Sequence, residues 1–397
     1  MSLNISLSGL RSSTQQLDVI SQNIANSATA GFKSSRTEFS AIVAGGSPGG
    51  VEVTRVSQNF EKDGAKEFTG RPLDMAISGE GFFMVKDGSG QSKYTRAGMF
   101  GTDNQNNIIS SSGMKLQGYG VNDVTGVLEA GKLVDLKVGS SSIPANASTS
   151  LEFKSNFKAD APIIPVAPPF DKTDANTFNF SYSSELYDSL GNTHTMTQYM
   201  VKDAANDWTA HYEIGGSMVS TQNVTFNTDG TMATPVAPVN LAYAPAGADP
   251  MNIALDMAGT TQYAGEFSVS RNSTDGYTSG DLAGISVSDE GDIIAQYTNG
   301  RDTIQGKVAL ANFTNPQGLM QSEQTTWTQT FSSGNAVTGE AGTGTLGTLT
   351  SGAYEQSNVE LTNELVGLMT SQRNYQANAK SMSTSDQMTQ TLFQTIR

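Results

Sequence analysis

SNVELTNELVGLMTSQRNYQANAKSMSTSDQMTQTLFQTIR, residues 357–397, is the stretch around which the chain is organised. Leu361, Leu365, Leu368, Tyr375, Ala379, Met382, Phe393 and Ile396 follow alternating steps of three and four. That spacing keeps side chains on one seam of a coiled helix, here over about five heptads. Gln372, Asp386 and Thr389 are polar lapses in the same register. Ser357 followed by Glu360 reads as a capping box opening the helix. Neither Gly nor Pro occurs after Gly367, so one long helix is expected. From Met369 onward only Arg373, Lys380, Asp386 and Arg397 are charged. A solvated helix face normally carries Lys and Glu pairs. An uncharged polar face suits a helix enclosed by other protein copies, or one facing a narrow wet channel.

The other end of the chain repeats the pattern. Leu3, Leu7, Leu10, Leu17 and Ile24 take the same steps, with Thr14 and Ser21 as lapses. Two heptad-patterned ends predict a coiled pair with the rest of the chain inserted between them. Segments of this kind are expected to order on meeting a partner. No secretory-signal pattern precedes the first helix, and no apolar run reaches membrane-spanning length.

Two motifs next to these helices carry a family resemblance. Asn23-Ile24-Ala25-Asn26-Ser27-Ala28-Thr29-Ala30-Gly31-Phe32-Lys33 resembles the signature that closes the N-terminal helix of bacterial flagellar rod and hook axial proteins. Gln372-Arg373-Asn374-Tyr375-Gln376-Ala377-Asn378-Ala379-Lys380 is similar to the same family's other end. Asn26 and Ser27 read as helix-stop residues, and Gly31 as a turn that tolerates positive φ.

Composition narrows the function classes. The chain has 397 residues and a net charge of −15, which argues against a nucleic-acid partner or an anionic membrane surface. Charged residues make up 15%, below the roughly 25% of ordinary domains, and glycines number 41. Without cysteine there is no disulfide framework, thiolate metal site or thiol nucleophile.

Between the ends the texture changes in a nested order. Residues 34–70 and 327–356 read as connectors, rich in glycine at Gly45, Gly46, Gly49 and Gly50 and again from Gly334 to Gly352. Residues 71–145 and 284–326 read as an inner β-domain, with strands at Leu73–Ile77, Gly81–Val85 and Val308–Phe313 and turns at Asp87-Gly88 and Asp289-Glu290-Gly291. Residues 146–283 read as an outer β-domain, with hairpins turning at Gly191-Asn192 and Thr228-Asp229-Gly230. The fold class is α+β, mainly β: nested inner and outer β-domains inserted between N- and C-terminal coiled-coil-like helices. The stretch Tyr187–Thr195 is similar to the outer domain of the hook branch, an insertion that rod members lack.

Motifs that suggest chemistry fail on context. Gly45-Gly46-Ser47-Pro48-Gly49 matches a hydrolase elbow, but Pro48 has no N–H for an oxyanion hole. Gly342-Thr343-Gly344-Thr345-Leu346-Gly347 matches a dinucleotide fingerprint without the strand and helix it needs. His194 and His211 lack matched ligands, and Asp289, Glu290 and Asp292 lack calcium-loop spacing, so structural hydrogen bonds and solvated turn carboxylates are expected. No catalytic, cofactor or metal site is expected.

The resemblance implies a non-enzymatic subunit of the hook type, polymerising into a curved, flexible, hollow tube that passes torque from rod to filament as a universal joint. It implies an extracellular place in the flagellum. The implied partners are further copies of the chain, the distal rod, the hook cap and hook–filament junction proteins, and the flagellar type III export apparatus. The residues Leu3, Leu7, Leu10, Leu17, Ile24, Leu361, Leu365, Leu368, Tyr375, Ala379, Met382, Phe393 and Ile396 would form the polymerisation seam. Asn23, Ala25, Asn26, Gly31, Phe32, Lys33, Gln372, Arg373, Tyr375 and Asn378 carry the family motifs. A distal rod subunit, or a secreted β-rich adhesin or hydrolase, are the competing readings.

Overall fold

The computed structural model describes residues 2–44, 47–122, 127–139, 142–165 and 167–395. Helix α1 spans Ser2–Ala25 and helix α2 spans Leu361–Thr395. Among the described residues between them, the regular elements are β-strands and two short 3-10 turns. The chain divides into two compact units: 1–140 with 284–296 and 302–397, and 141–283 with 297–301.

In the first unit a long antiparallel hairpin, Ser35–Ala44 with Ser47–Gln58, follows α1. The unit's sheet is built around strand Asp302–Asn312, which pairs with Asp292–Tyr297, Lys115–Val121, Phe82–Lys86 and Val337–Glu340. Its core is aromatic. Phe82, Tyr94, Phe313 and Trp327 are buried together, with Phe60 packed against them in edge-to-face contacts. Such geometry sets the positive ring edge against the negative ring face.

The second unit packs two five-stranded sheets. One is the antiparallel meander Phe180–Tyr187, Thr193–Ala204, Asp207–Ile214, Ser217–Phe226 and Met232–Thr234. The other is centred on Ser150–Lys158, whose alternate residues Leu151, Phe153, Ser155 and Phe157 are buried. A period of two puts these side chains on one face, where they meet Trp208, Tyr212, Leu241 and Ile253. The Tyr187–Thr193 turn is held by Asp188, which accepts hydrogen bonds from the backbone of Leu190 and Asn192 at 2.9 Å and from His194 Nε2 at 3.0 Å. His211 stacks on Phe170 at 4.1 Å and bonds Thr221 Oγ1 through Nδ1 at 3.0 Å. Both histidines are thus held by hydrogen bonds within the second unit.

Two expectations change. The segments expected as flexible connectors are strands. Thr348–Ser351 pairs with Met75–Ser78, and Ala353–Glu355 with Lys66–Phe68. Their glycines serve tight geometry: Gly342 and Gly352 sit at φ +75° and +73°, and a Cβ on Gly347 would lie 2.2 Å from the Ser78 carbonyl. Second, α2 starts at Leu361, so Ser357 lies outside it and bonds the Val359 N–H at 3.3 Å. Glu360 stands immediately before the helix, accepting the Glu364 N–H on its carbonyl at 3.0 Å and Lys62 and Asn363 on its carboxylate. The turn Gly342–Gly347 leads into a strand and opens no helix. Of the Gly45–Gly49 motif, Gly45 and Gly46 lie outside the described residues, and Ser47 begins the second hairpin strand.

Candidate assembly interface at the paired termini

Helices α1 and α2 lie antiparallel in one fixed register. Ser6 Oγ meets Ser381 Oγ at 3.1 Å, and Asn23 Nδ2 donates to Glu364 Oε1 at 3.0 Å. Between them Gly9 faces the Asn378 amide, where a Cβ would approach to 2.8 Å, and a Cβ on Gly367 would touch Ile20 at 3.5 Å. The residue numbers in these four pairs add to the same total, so the pairing has no slip. Small residues on both sides allow this close approach. Among the described residues of α1, Ser6, Gly9, Ser13, Val19, Ile20 and Asn23 are buried, as is Ser12, whose hydroxyl donates instead to the Val51 carbonyl of the hairpin; on α2 Ser371 is buried, and Glu364, Gly367 and Asn378 half-buried.

The apolar seam expected between the helices therefore lies elsewhere. Leu361, Leu365 and Met369 are 47%, 51% and 52% exposed, and Val366, Tyr375, Met382 and Met388 are also exposed. On α1, Ile5 and Leu7 are exposed, while Leu10, Leu17 and Ile24 are half-buried, as are Leu368 and Ala379. The Leu3 and Phe393 side chains and Ile396 lie outside the described residues. A three-four pattern marks a stripe but not its partner. Here the small-residue face wins the intramolecular contact because the helix backbones can come closer along it, and both ends are ordered helices within one copy.

The motif residues form the base that holds this helical pair. Gly31 adopts φ +68°, and a Cβ there would fall 2.3 Å from Ala97 N. Its N–H donates to the Glu355 carbonyl at 2.8 Å. Asn23 exchanges two hydrogen bonds with the Ser35 backbone at 2.8 and 2.9 Å. Asn26 caps locally, donating to Gln22 O at 2.9 Å, and Phe32 is buried, while Ala25, Gln372 and Arg373 remain exposed. Asn358 accepts the Ser34 N–H at 2.7 Å and donates to the Asn59 and Lys62 carbonyls at 2.9 and 2.8 Å.

Lys33 is fully buried. Its ammonium donates to Glu355 Oε1 at 2.8 Å and Lys62 O at 2.9 Å, and lies 3.7 Å from Asp63. Arg96, also buried, reaches Glu355 Oε2 at 3.3 Å and Asp63 at 3.4 Å. Burial and then the Arg96 charge hold Lys33 below the usual lysine range, opposed by Glu355 and Asp63. This quartet of two cations and two carboxylates ties strand Ala353–Glu355 to the segment after α1. Sequence reading found Lys33 but missed Glu355, Arg96, Asp63 and Asn358. The available signal was a charge inside apolar runs, as in Ala353-Tyr354-Glu355 and Tyr94-Thr95-Arg96-Ala97.

Among the described residues no group of three His, Asp or Glu side chains is placed to hold a metal, and no helix is long and apolar enough to cross a membrane.

Comparison with known proteins bears on the same segments. Residues 3–33 match the family model of flagella basal body rod protein, 76–155 the flagellar hook protein FlgE/F/G D1 domain, 146–277 the flagellar basal body protein FlaE D2 domain, and 350–395 the flagellar basal body rod FlgEFG protein C-terminal. The chain is 36% identical over 400 residues to the flagellar hook protein FlgE of Escherichia coli K12, covering 99% of each. It is 35% identical over 402 residues to that of Salmonella typhimurium LT2, again covering 99% of each. It is 33% identical to that of Rhizobium meliloti, covering 97% of this chain and 96% of the other. The crystal structure of Helicobacter pylori flagellar hook protein FlgE2 shares the fold, with a TM-score of 0.56 over 74% of this chain and 99% of that one, at 12% identity. With nearly end-to-end identity of this order, and with family matches at both helices and in both units, the chain belongs to the flagellar hook protein family.

Proposed function

We propose that this hook subunit polymerises with itself into a curved, flexible, hollow tube outside the cell, carrying torque from the rod to the filament as a universal joint. One observation carries the reading: α2 leaves Leu361, Leu365, Met369, Met382 and Met388 exposed while a polar face meets α1. Apolar side chains left in water along a helix represent unspent driving force, on the order of 25 cal/mol per Å² when covered. A neighbouring copy of the same helical pair covers them. In this reading residues 1–33 and 357–397 are the polymerisation domain, and the outward seam runs along Leu7, Leu361, Leu365, Leu368, Tyr375, Ala379 and Met382. Residues 71–145 with 284–326 and residues 146–283 form inner and outer layers whose small relative shifts let the tube bend. The distal rod, the cap and junction proteins meet the two ends of the tube, and the subunit travels through the type III export apparatus.

The test is Leu365→Asp. The side chain is half-exposed in the single copy, so thermal unfolding should stay within about 0.5 kcal/mol of the unaltered chain. In an assembled seam the carboxylate would be buried without a partner, which is costly. Negative-stain microscopy should show tubes from the unaltered chain and none from the variant. Normal tubes from Leu365→Asp would refute the seam.

A further inference from the structure

We propose that α1 of each copy lies along the outer face of α2 of a neighbouring copy, with Asp18 on Lys380 and Arg11 beside Asp386. The inference rests on the subunit reading and names the register of one contact within it. Arg11 and Asp18 are the only charged side chains of α1, and both are exposed. On α2, Arg373, Lys380 and Asp386 are exposed. Among the described residues none of these five makes an ion pair, and only Asp386 has a side-chain hydrogen bond, from Gln390 Nε2 at 3.2 Å.

These charges face away from the contact inside the copy. A helix turns about 100° per residue. Counted from the buried Ser13 and Ser371, the side chains of Arg11, Asp18, Arg373 and Lys380 lie about 140–180° round their helices. In its own copy Asp18 is level with Met369 and turned away from α2, so neither cation answers it. On α2 the two cations continue the exposed line of Leu365 and Met369 at helical spacing, so a copy that covers that line meets them too.

Symmetry and charge together select the register. A tube of identical copies repeats by a screw operation, which keeps every α1 running the same way along the axis. Since α2 runs against α1 in each copy, a neighbour's α1 meets α2 antiparallel as well. Two antiparallel registers bring Asp18 to a cation. Opposite Arg373, it would set Arg11 against Lys380, because both pairs are spaced by seven residues. Opposite Lys380, it sets Arg11 against Gln387, next to Asp386. Like charges in contact are costly, so the second register is the one that closes. It also brings Leu10 and Leu17 level with Met388 and Met382, which are 62% and 36% exposed in the single copy, so apolar cover accompanies the ion pairs.

The chain has no cysteine, so introduced thiols report alone. Asp18→Cys and Lys380→Cys chains are mixed, assembled and oxidised. A covalent dimer should form in tubes of the mixture and in neither variant alone. Charge reversal tests the pair itself. Asp18→Lys and Lys380→Asp should each raise the critical concentration for tubes about fivefold or more, and the two changes in one chain should bring it back to within about twofold. Asp18→Lys combined with Arg373→Asp should not be rescued. Mixed tubes without the dimer, single reversals without effect, or a double reversal no better than the single ones would overturn the register, as would rescue through Arg373→Asp. Tube formation by the unaltered chain judges the subunit reading separately.

Discussion

Replacing Glu355 by Gln tests whether the buried charge quartet holds the helical pair to the β-structure. Glu355 is 1% exposed and lies 2.8 Å from the Lys33 ammonium and 3.3 Å from the Arg96 guanidinium. At an effective dielectric of about 20 these separations correspond to gross attractions of about 6 and 5 kcal/mol. Desolvation of each ion offsets most of that, so the net worth of the quartet is small. Removing one partner is different, because two cations then stay buried with only Asp63, which is 38% exposed, as counter-ion. Breaking a buried pair costs about 3–5 kcal/mol. Gln retains the shape and still accepts the Gly64 N–H that Glu355 Oε1 accepts at 2.8 Å, so the lower figure applies. The chain has two units, which makes a single melting temperature a poor readout. Hydrogen exchange at the Gly31 and Gly64 amides reads the site directly, and about 3 kcal/mol should speed it on the order of 100-fold. Lys33→Met on the Glu355→Gln background should recover at least about 1 kcal/mol, because Arg96 and Asp63 then remain as a matched pair. Exchange accelerated less than about fivefold, or strictly additive losses in the double variant, would refute the argument.

Three further outcomes follow from the geometry. Gly31→Ala combines a left-handed φ of +68° with a Cβ 2.3 Å from the Ala97 backbone, so it should cost more than the roughly 1–2 kcal/mol of the conformation alone; exchange at Gly31 and its neighbours measures this. Gly367→Ala should stabilise the helical pair by up to about 1 kcal/mol, since a helix-interior glycine is replaced and the new Cβ meets Ile20 at an ordinary 3.5 Å; helical melting followed by circular dichroism should rise. The hydrogen bond from His194, with those from Asn192 and Leu190, holds the Asp188 carboxyl well below the usual carboxylate range. Its folded-state pKa is depressed, so its contribution is present above about pH 4 and is lost as pH falls through the lower folded value. Asp188→Asn should therefore lower the unfolding temperature of the second unit, followed by exchange of its buried strand amides on heating, at pH 7 and differ less from the unaltered chain near pH 2; an equal gap at both pH values would contradict this.

The order of the elements was legible in the sequence because it rests on local chemistry. The helix at each end follows from three-four periodicity, and the hairpins at Gly191-Asn192 and Asp289-Glu290-Gly291 from turn residues whose glycines take φ +84° and +88°. The nested texture and the two end motifs pointed to the family. What the tertiary structure decided are the partnerships between distant residues. Periodicity showed that α1 and α2 each carry an apolar stripe, but not that Gly9, Ser13, Gly367 and Ser371 mark the faces that pair, leaving the leucines outward. Glycines between 334 and 352 read as flexibility because composition cannot tell a loose linker from a strand that must pass close to another backbone, as Gly347 passes Ser78. Lys33 and Glu355 are 322 residues apart, and no local pattern joins them. Their pairing exists because folding buries both, and a buried charge that has lost its water must find its counter-charge wherever the chain brings one.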